Sequence, residues 1–190
     1  MPKKAIFKKK QIHNKAYEMF EKYGLEEITA RSLAKALNAS PAPIYSYYES
    51  MDVLKEELID RAKERFLEYL NNEETEFEFL NIGLGICYFA REEKQLFRNI
   101  FLKDISYRDL IREFRDLVKE QMGRDERFAG VTEEEKVDLF LDSWIYVHGF
   151  ATLIATGYFE NPTNEFIKTR LIEAPASLLY KRLEKRSNKK

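Results

Sequence analysis

The sequence predicts an all-α fold of about nine helices, with a small N-terminal three-helix unit followed by a larger helical body. Three observations carry that expectation. Apolar residues recur at three- and four-residue spacing along most of the 190-residue chain. No segment alternates apolar and polar residues with the period of a strand. The seven glycines and five prolines fall mostly at candidate helix ends. With 44% hydrophobic residues the chain can bury a real core in one or two compact domains, and no internal repeat stands out.

The first helix is expected at about 5–23, with Ile12, Ala16, Met19, Phe20 and Tyr23 on one face. Residues 29–48 then read as two short helices joined by a tight turn. Thr29 is a candidate N-cap for the first, whose buried face is Leu33, Ala34 and Leu37. Asn38 stands where the chain reverses, and Asn tolerates the left-handed conformation better than most residues. Ser40 is a second N-cap candidate, with Pro41 at the first helical position. Ile44 and Tyr48, four apart, face the first helix and leave Pro41, Ala42, Tyr45, Ser46 and Tyr47 outward. A short helix presenting small and aromatic residues on a scaffold helix fits the recognition helix of a helix-turn-helix. The competing reading is a plain packing unit with surface tyrosines, which taken singly need no explanation.

A fourth helix is expected at 51–71, capped by Ser50, with Leu54, Leu58, Ala62, Phe66 and Tyr69-Leu70 as its stripe. Helices at 75–92 and 94–103 follow, broken near Glu92-Glu93, then one at 106–122 ending at Gly123. Arg124–Gly130 reads as a loop, and Thr132 with Glu135 as a capping box opening a long helix to about 157. Asn161-Pro162-Thr163 is a turn before a last helix to about 186, which Pro175 should kink or split. The N-terminal unit is placed at 1–50 and the body at 51–190.

Charge is unevenly distributed. The net charge is −1, yet residues 1–48 hold nine Lys+Arg against four Glu, a net +5. Residues 49–180 hold 17 basic residues against 28 acidic ones, a net −11, and the tail 181–190 returns to +5. A basic module on an acidic body orients a molecule toward a polyanion. Lys3, Lys4, Lys8, Lys9 and Lys10 lie before or at the start of the first helix, within reach of phosphates or a minor groove if that segment acts as an arm. The tail lysines suit a solvated helix C-terminus.

The pattern Ile12, Ala16, Phe20, Gly24, Thr29, Leu33-Ala34, Ser40, Ile44-Tyr45, Tyr47-Tyr48 and Leu54 resembles the TetR family of bacterial transcriptional regulators. Two positions depart from the family: Met51 stands where many members carry a phosphate-contacting Lys, and Asn38 where Gly is frequent. The resemblance implies a homodimer on a palindromic DNA operator, with Lys8, Lys9, Thr29, Arg31, Ser40, Pro41, Ala42, Tyr45, Ser46 and Tyr47 at the DNA. Within that frame Thr29 and Tyr45 serve phosphates. Arg31 is the best candidate for a bidentate guanine contact, worth ~1–3 kcal/mol, and Ala42 or Pro43 for a thymine methyl.

Trp144, His148 and Gly149 further resemble a Trp-x-x-x-His-Gly signature in the C-terminal domain of one TetR subgroup. That helix is apolar almost all round, so it calls for cover on more than one face. The family's last two helices form a four-helix dimer interface. This implies Phe150, Ala151, Leu153, Ile154 and Ala155 with Phe166, Ile167, Leu171, Leu178 and Leu179 as interface residues, where the bland reading is ordinary core. The family also encloses an effector pocket in this domain. Aromatic residues crowd the middle of the chain, and Tyr88, Phe101, Trp144 and His148 are singled out as pocket candidates for a small apolar or aromatic effector. Aromatics at helical spacing equally read as core.

Other classes find little support. His13, His148 and Cys87 do not stand at metal-ligand spacings, no glycine-rich phosphate loop occurs, and no nucleophile, base and orienter assemble. Neither an enzymatic role, nor a cofactor, nor a metal is expected. The longest apolar stretch, Trp144–Phe159, is 16 residues, short of the ~20 of a membrane span. No signal segment is visible, and a single cysteine fits a reducing, cytoplasmic setting. The expected function is that of a ligand-released dimeric repressor. The alternatives are a dimeric adaptor that keeps the fold without binding DNA, and a regulator whose aromatic interior is solid.

Overall fold

The computed structural model describes residues 7–71, 74–103, 108–124 and 126–177. They form nine α-helices: α1 (Lys9–Tyr23), α2 (Ala30–Ala36), α3 (Ala42–Tyr45), α4 (Met51–Leu70), α5 (Glu78–Glu92), α6 (Lys94–Phe101), α7 (Arg108–Arg124), α8 (Glu133–Ala155) and α9 (Asn164–Leu171). No strand occurs among the described residues.

Short polar side chains set most of the helix starts. Thr29 Oγ1 accepts from the Ser32 amide at 3.1 Å while Ser32 Oγ accepts from the Thr29 amide at 3.0 Å, a reciprocal cap on α2. Ser50 opens α4 by accepting from the Val53 amide at 3.3 Å. Thr132 and Glu135 form the expected box on α8, and Thr163 caps α9. Asn38 makes the turn after α2 with φ 51°, the left-handed region its short polar side chain tolerates.

Several boundaries differ from expectation. The helix-turn-helix turn hands over one residue late: Pro41, not Ser40, occupies the cap of α3, its carbonyl accepting from Tyr45. The Ser40 side chain makes no capping bond. α7 runs one residue past Gly123, and the Arg124–Gly130 segment contains a short 3-10 turn, Glu126–Phe128, that buries Phe128 against Phe79. The last helix divides as Pro175 requires: α9 ends at Leu171 and a π turn, Ile172–Ala176, follows. Pro175 has no N–H to return to the Leu171 carbonyl. Leu178, Leu179, Lys3, Lys4 and the basic tail lie outside the described residues.

α5 is the central rod. Every residue from Asn81 to Ala90 is buried, because α4, α8 and α9 pack around it. Its Gly83 admits two neighbours at once: a Cβ there would stand 3.4 Å from Leu171 Cδ1 and 3.6 Å from Val147 Cγ2. α4 joins the two parts. Leu54 and Leu58 are buried in its first half, which adjoins α1, and Phe66 and Leu70 in its second, beside α5 and α6. α8 buries Leu139, Phe140, Val147, Phe150, Ala151, Ile154 and Ala155, and leaves Val137, Leu141, Ile145 and Leu153 exposed. It is also the one described helix long and apolar enough to cross a membrane, although its buried side packs on α5 within the bundle.

The left-handed turn yields a stability prediction. In urea unfolding, Asn38→Ala should lower the free energy by ~1 kcal/mol, through the cost of a Cβ at positive φ without a compensating polar group. Asn38→Gly should stay within about 0.5 kcal/mol of the parent.

Candidate nucleic-acid interface

The N-terminal unit is built so that α3 shows one side only. Ile12, Ala16 and Phe20 of α1, Leu33 and Ala34 of α2, and Ile44 and Tyr48 share an apolar core, into which Tyr48 also brings a buried hydroxyl. Pro41, Ala42, Tyr45, Ser46 and Tyr47 are left exposed, as are Arg31 and Ser40. Tyr45 is 53% exposed and its hydroxyl is uncommitted, and Arg31 makes no ion pair among the described residues. Two hydroxyls are turned inward instead. Ser46 donates to the Pro43 carbonyl at 2.7 Å, and Tyr47 to the Phe7 carbonyl at 2.8 Å.

The lysines ahead of this unit divide by partner. Lys8 stands at the cap position of α1, where its amide donates to Gln11 Oε1 at 2.9 Å, and its side chain is exposed. Lys9 bonds Glu57 Oε1 at 2.6 Å and lies 4.9 Å from the centre of the Tyr48 ring. Lys10 is exposed without an ion pair among the described residues. Met51 is half-buried and packs against the core. Sequence reasoning missed Phe7 and Glu57, since each meets its partner across some forty positions or more, and Phe7 only through a main-chain oxygen.

In the body, three of the four pocket candidates converge. The Trp144 ring lies 5.1 Å from His148 and 5.9 Å from Phe101, and Phe101 lies 6.1 Å from His148. All three are half-buried. Around them stand Phe97, Phe66, Phe114 and Phe140, the last stacked on Trp144 at 6.1 Å. Tyr88 is not among them. It faces the other side of α5, donating to a Glu74 carboxylate oxygen at 2.5 Å beneath the Arg91 guanidinium. Near the cluster Thr152 donates to the His148 carbonyl and Asn99 Nδ2 to the Gln95 carbonyl, while the buried Asn99 Oδ1 accepts no hydrogen bond among the described residues.

Of the residues assigned to a subunit interface, Phe150, Ala151, Ile154, Ala155, Ile167 and Leu171 are buried within the protomer itself. Phe166 is half-buried in a cluster with Phe150 and Phe159. Among the described ones Leu153 alone is exposed, at 41%. The uncovered side of α8 carries Val137, Leu141, Ile145, Gly149 and Leu153, of which sequence reasoning had assigned only Leu153 to the interface. An all-apolar helix gives no sequence cue as to which side its own chain covers.

Burial holds the His148 imidazole below its ordinary value of 6.5, opposed by a hydrogen bond involving the Phe101 backbone. A histidine whose folded value is depressed favours the folded state when neutral. Its contribution is fully present above pH 6.5 and is lost as the pH falls through and below that value. Equilibrium unfolding should therefore show stability declining as the pH falls below about 6.5, with His13, also lowered by burial, adding to the decline, and His148→Gln should lessen it.

No family model matches the chain, and no curated protein matches it in sequence. Solved structures do. One is a TetR-like transcriptional regulator from Rhodococcus sp. RHA1, with TM-score 0.64 and 17% identity over 90% of this chain and 94% of that one. Another is a TetR-family transcriptional regulator from Haemophilus influenzae RD, with TM-score 0.60 and 20% identity over 88% of this chain and 93% of that one. The likeness spans nearly the whole length in both cases, and the chain has the fold of TetR-type transcriptional regulators.

Proposed function

We propose that this chain is a dimeric transcriptional regulator, cytoplasmic, that binds a palindromic DNA operator and is released by a small, largely apolar effector. The observation that carries the reading is the one-sided α3: Ile44 and Tyr48 are buried while Ala42, Tyr45, Ser46 and Tyr47 face solvent, on a basic module attached to an acidic body. Arg31 reads a guanine edge, Ala42 or Pro43 offers apolar contact to a thymine methyl, and Tyr45 donates to a phosphate. Thr29 caps α2 and orients its first turn. Ser40 lines the same approach.

For the homodimer, the support is the exposed side of α8. Val137, Leu141, Ile145 and Leu153 are 38%, 50%, 64% and 41% exposed, and Gly149 between them has nothing within 4 Å of where a Cβ would stand. A second copy of α8 laid on this stripe covers the apolar side that the chain itself leaves open. The effector reading rests on Phe101, Trp144 and His148, which meet beside α6 and α8, with Tyr88 set apart from them. An effector that separates these rings displaces α6, and its preference for the displaced state sets the response.

Selection from a random duplex pool followed by salt titration tests the DNA reading. A palindromic consensus with a steep negative salt slope supports it. A folded dimer that enriches nothing at low salt would instead mark a DNA-free adaptor with the same fold. Arg31→Ala should relax the consensus at one position per half-site and cost ~1–3 kcal/mol on the best sequence, whereas Tyr45→Phe should weaken all sequences alike. If the selected consensus is unchanged in Arg31→Ala, the guanine assignment is wrong. Sedimentation velocity checks the interface: Ile145→Glu should convert dimer to monomer while leaving helical content unchanged.

A further inference from the structure

The segment leading into α1 is fastened to the far end of α3 and to α4. The Tyr47 hydroxyl donates to the Phe7 carbonyl at 2.8 Å, joining residues forty apart in sequence, and the Phe7 side chain packs half-buried against the core. Two residues later the Lys9 ammonium bonds Glu57 Oε1 at 2.6 Å over the Tyr48 ring. A tyrosine hydroxyl has one proton to donate. Tyr47 donates its proton inward, so it has none for a base edge or a phosphate while that bond holds. Tyr45, two residues earlier and also exposed, keeps its proton. Lys9 is likewise committed to Glu57, but its neighbours Lys8 and Lys10 are exposed and make no ion pair among the described residues.

We infer that Tyr47 is a positioning residue which holds the segment Phe7–Lys10 beside α3, so that Lys8 and Lys10 serve as pre-placed phosphate contacts. The inference rests on the DNA-binding reading and gives Tyr47 a role apart from base recognition. Holding the segment in the free protein removes the ordering cost that a loose basic arm would meet on binding. Lys9 and its acidic partner act as the second fastening point, and the two lysines beside it carry the charge outward.

The test compares the full chain with Tyr47→Phe, which removes only the hydroxyl, with Lys8→Ala/Lys10→Ala, and with all three substitutions together. On the selected operator, Tyr47→Phe should bind about three- to tenfold more weakly. Its slope of log affinity against log salt should shrink toward that of the lysine variant, by about one unit for each phosphate that is no longer neutralised. The triple variant should be no weaker than the lysine variant, and the consensus should stay the same. Without DNA, cleavage by a lysine-specific protease at residues 8–10 should be several-fold faster in Tyr47→Phe, with no change in Tyr45→Phe. An unchanged salt slope, additive losses, a shifted consensus or unchanged cleavage each overturns the role of Tyr47, even where the parent binds DNA well. Failure of the parent itself to bind any duplex overturns the DNA reading and the phosphate role with it.

Discussion

Phe66 seats α4, the helix that joins the two parts of the molecule, in the body. Its fully buried ring packs edge-on against Phe89 of α5 at 5.3 Å, Phe101 of α6 at 5.0 Å and Phe114 of α7 at 6.0 Å. Each such pair adds ~0.5–1.5 kcal/mol beyond the burial of the rings. Phe66 sits on α4, whose first residues follow closely on Tyr48 and whose early turns bury Leu54 and Leu58 in the N-terminal unit. A helix of this length spans about 30 Å and is stiff, so its two ends do not move independently. A second seam joins α1 to α6. Gly24 ends α1 at φ 89°, and a Cβ there would stand 3.3 Å from Gln95 Oε1, with Lys103 paired to Glu26 nearby. A shift of α6 therefore reaches the N-terminal unit by two routes, through Phe101 to Phe66 along α4 and through Gln95 to Gly24. The exposed Lys103–Glu26 pair adds little to either.

Charge counted along the chain differs from charge available at the surface. Lys9 is held by Glu57, Lys15 by Glu18, and the Lys22 ammonium lies 5.1 Å from the Tyr23 ring. On α4, Arg61 lies 3.9 Å from the Tyr17 ring and bonds Asn14, while Arg65 bridges Glu68 and Glu93. Lys9, Arg61 and Arg65 tie elements together, whereas Lys15 and Lys22 are held within α1. Among the described residues of the N-terminal unit, Lys8, Lys10, Arg31 and Lys35 are the basic side chains without such a partner. Of the seven basic side chains described there, these four acquire corresponding weight in the proposed recognition of phosphate and base.

What the sequence made legible was what local chemistry decides. Thr29, Ser50 and Thr132 cap where their spacing to the next amide places them, and Asn38 turns left-handed as its side chain permits. The inward pair Ile44 and Tyr48 follows from a four-residue period alone. Ser40 shows where local rules compete: a serine before a proline is a good cap, yet Pro41 with φ −63° already takes the cap position and starts the turn itself. Tertiary placement was harder. Tyr88 and Phe89 are neighbours on one helix, but one faces Glu74 and Arg91 and the other the Phe66 cluster, because successive residues lie about 100° apart. The Tyr47–Phe7 bond engages a main-chain oxygen, which no side-chain pattern reveals.

α8 shows how a sequence feature and a structural one must be read together. Apolar residues all round a helix are compatible with a bilayer, a protein interior or an interface. Here one side is already occupied by α5, and Gly83 brings that helix close to Val147. The remaining side alternates with acid. Asp138 and Asp142 follow Val137 and Leu141 directly and are exposed. Carboxylates at that interval are costly against lipid. Beside a protein partner they stay at the rim, solvated, while the apolar row between them is covered. Gly149 opens the row to close approach, and the row winds gradually around α8, since each fourth residue turns about 40° further. In the proposed dimer, a two-fold axis crossing that row would set each copy's open face on the other's. The same axis would relate the two α3 helices, which is the symmetry a palindromic operator asks of the protein that reads it.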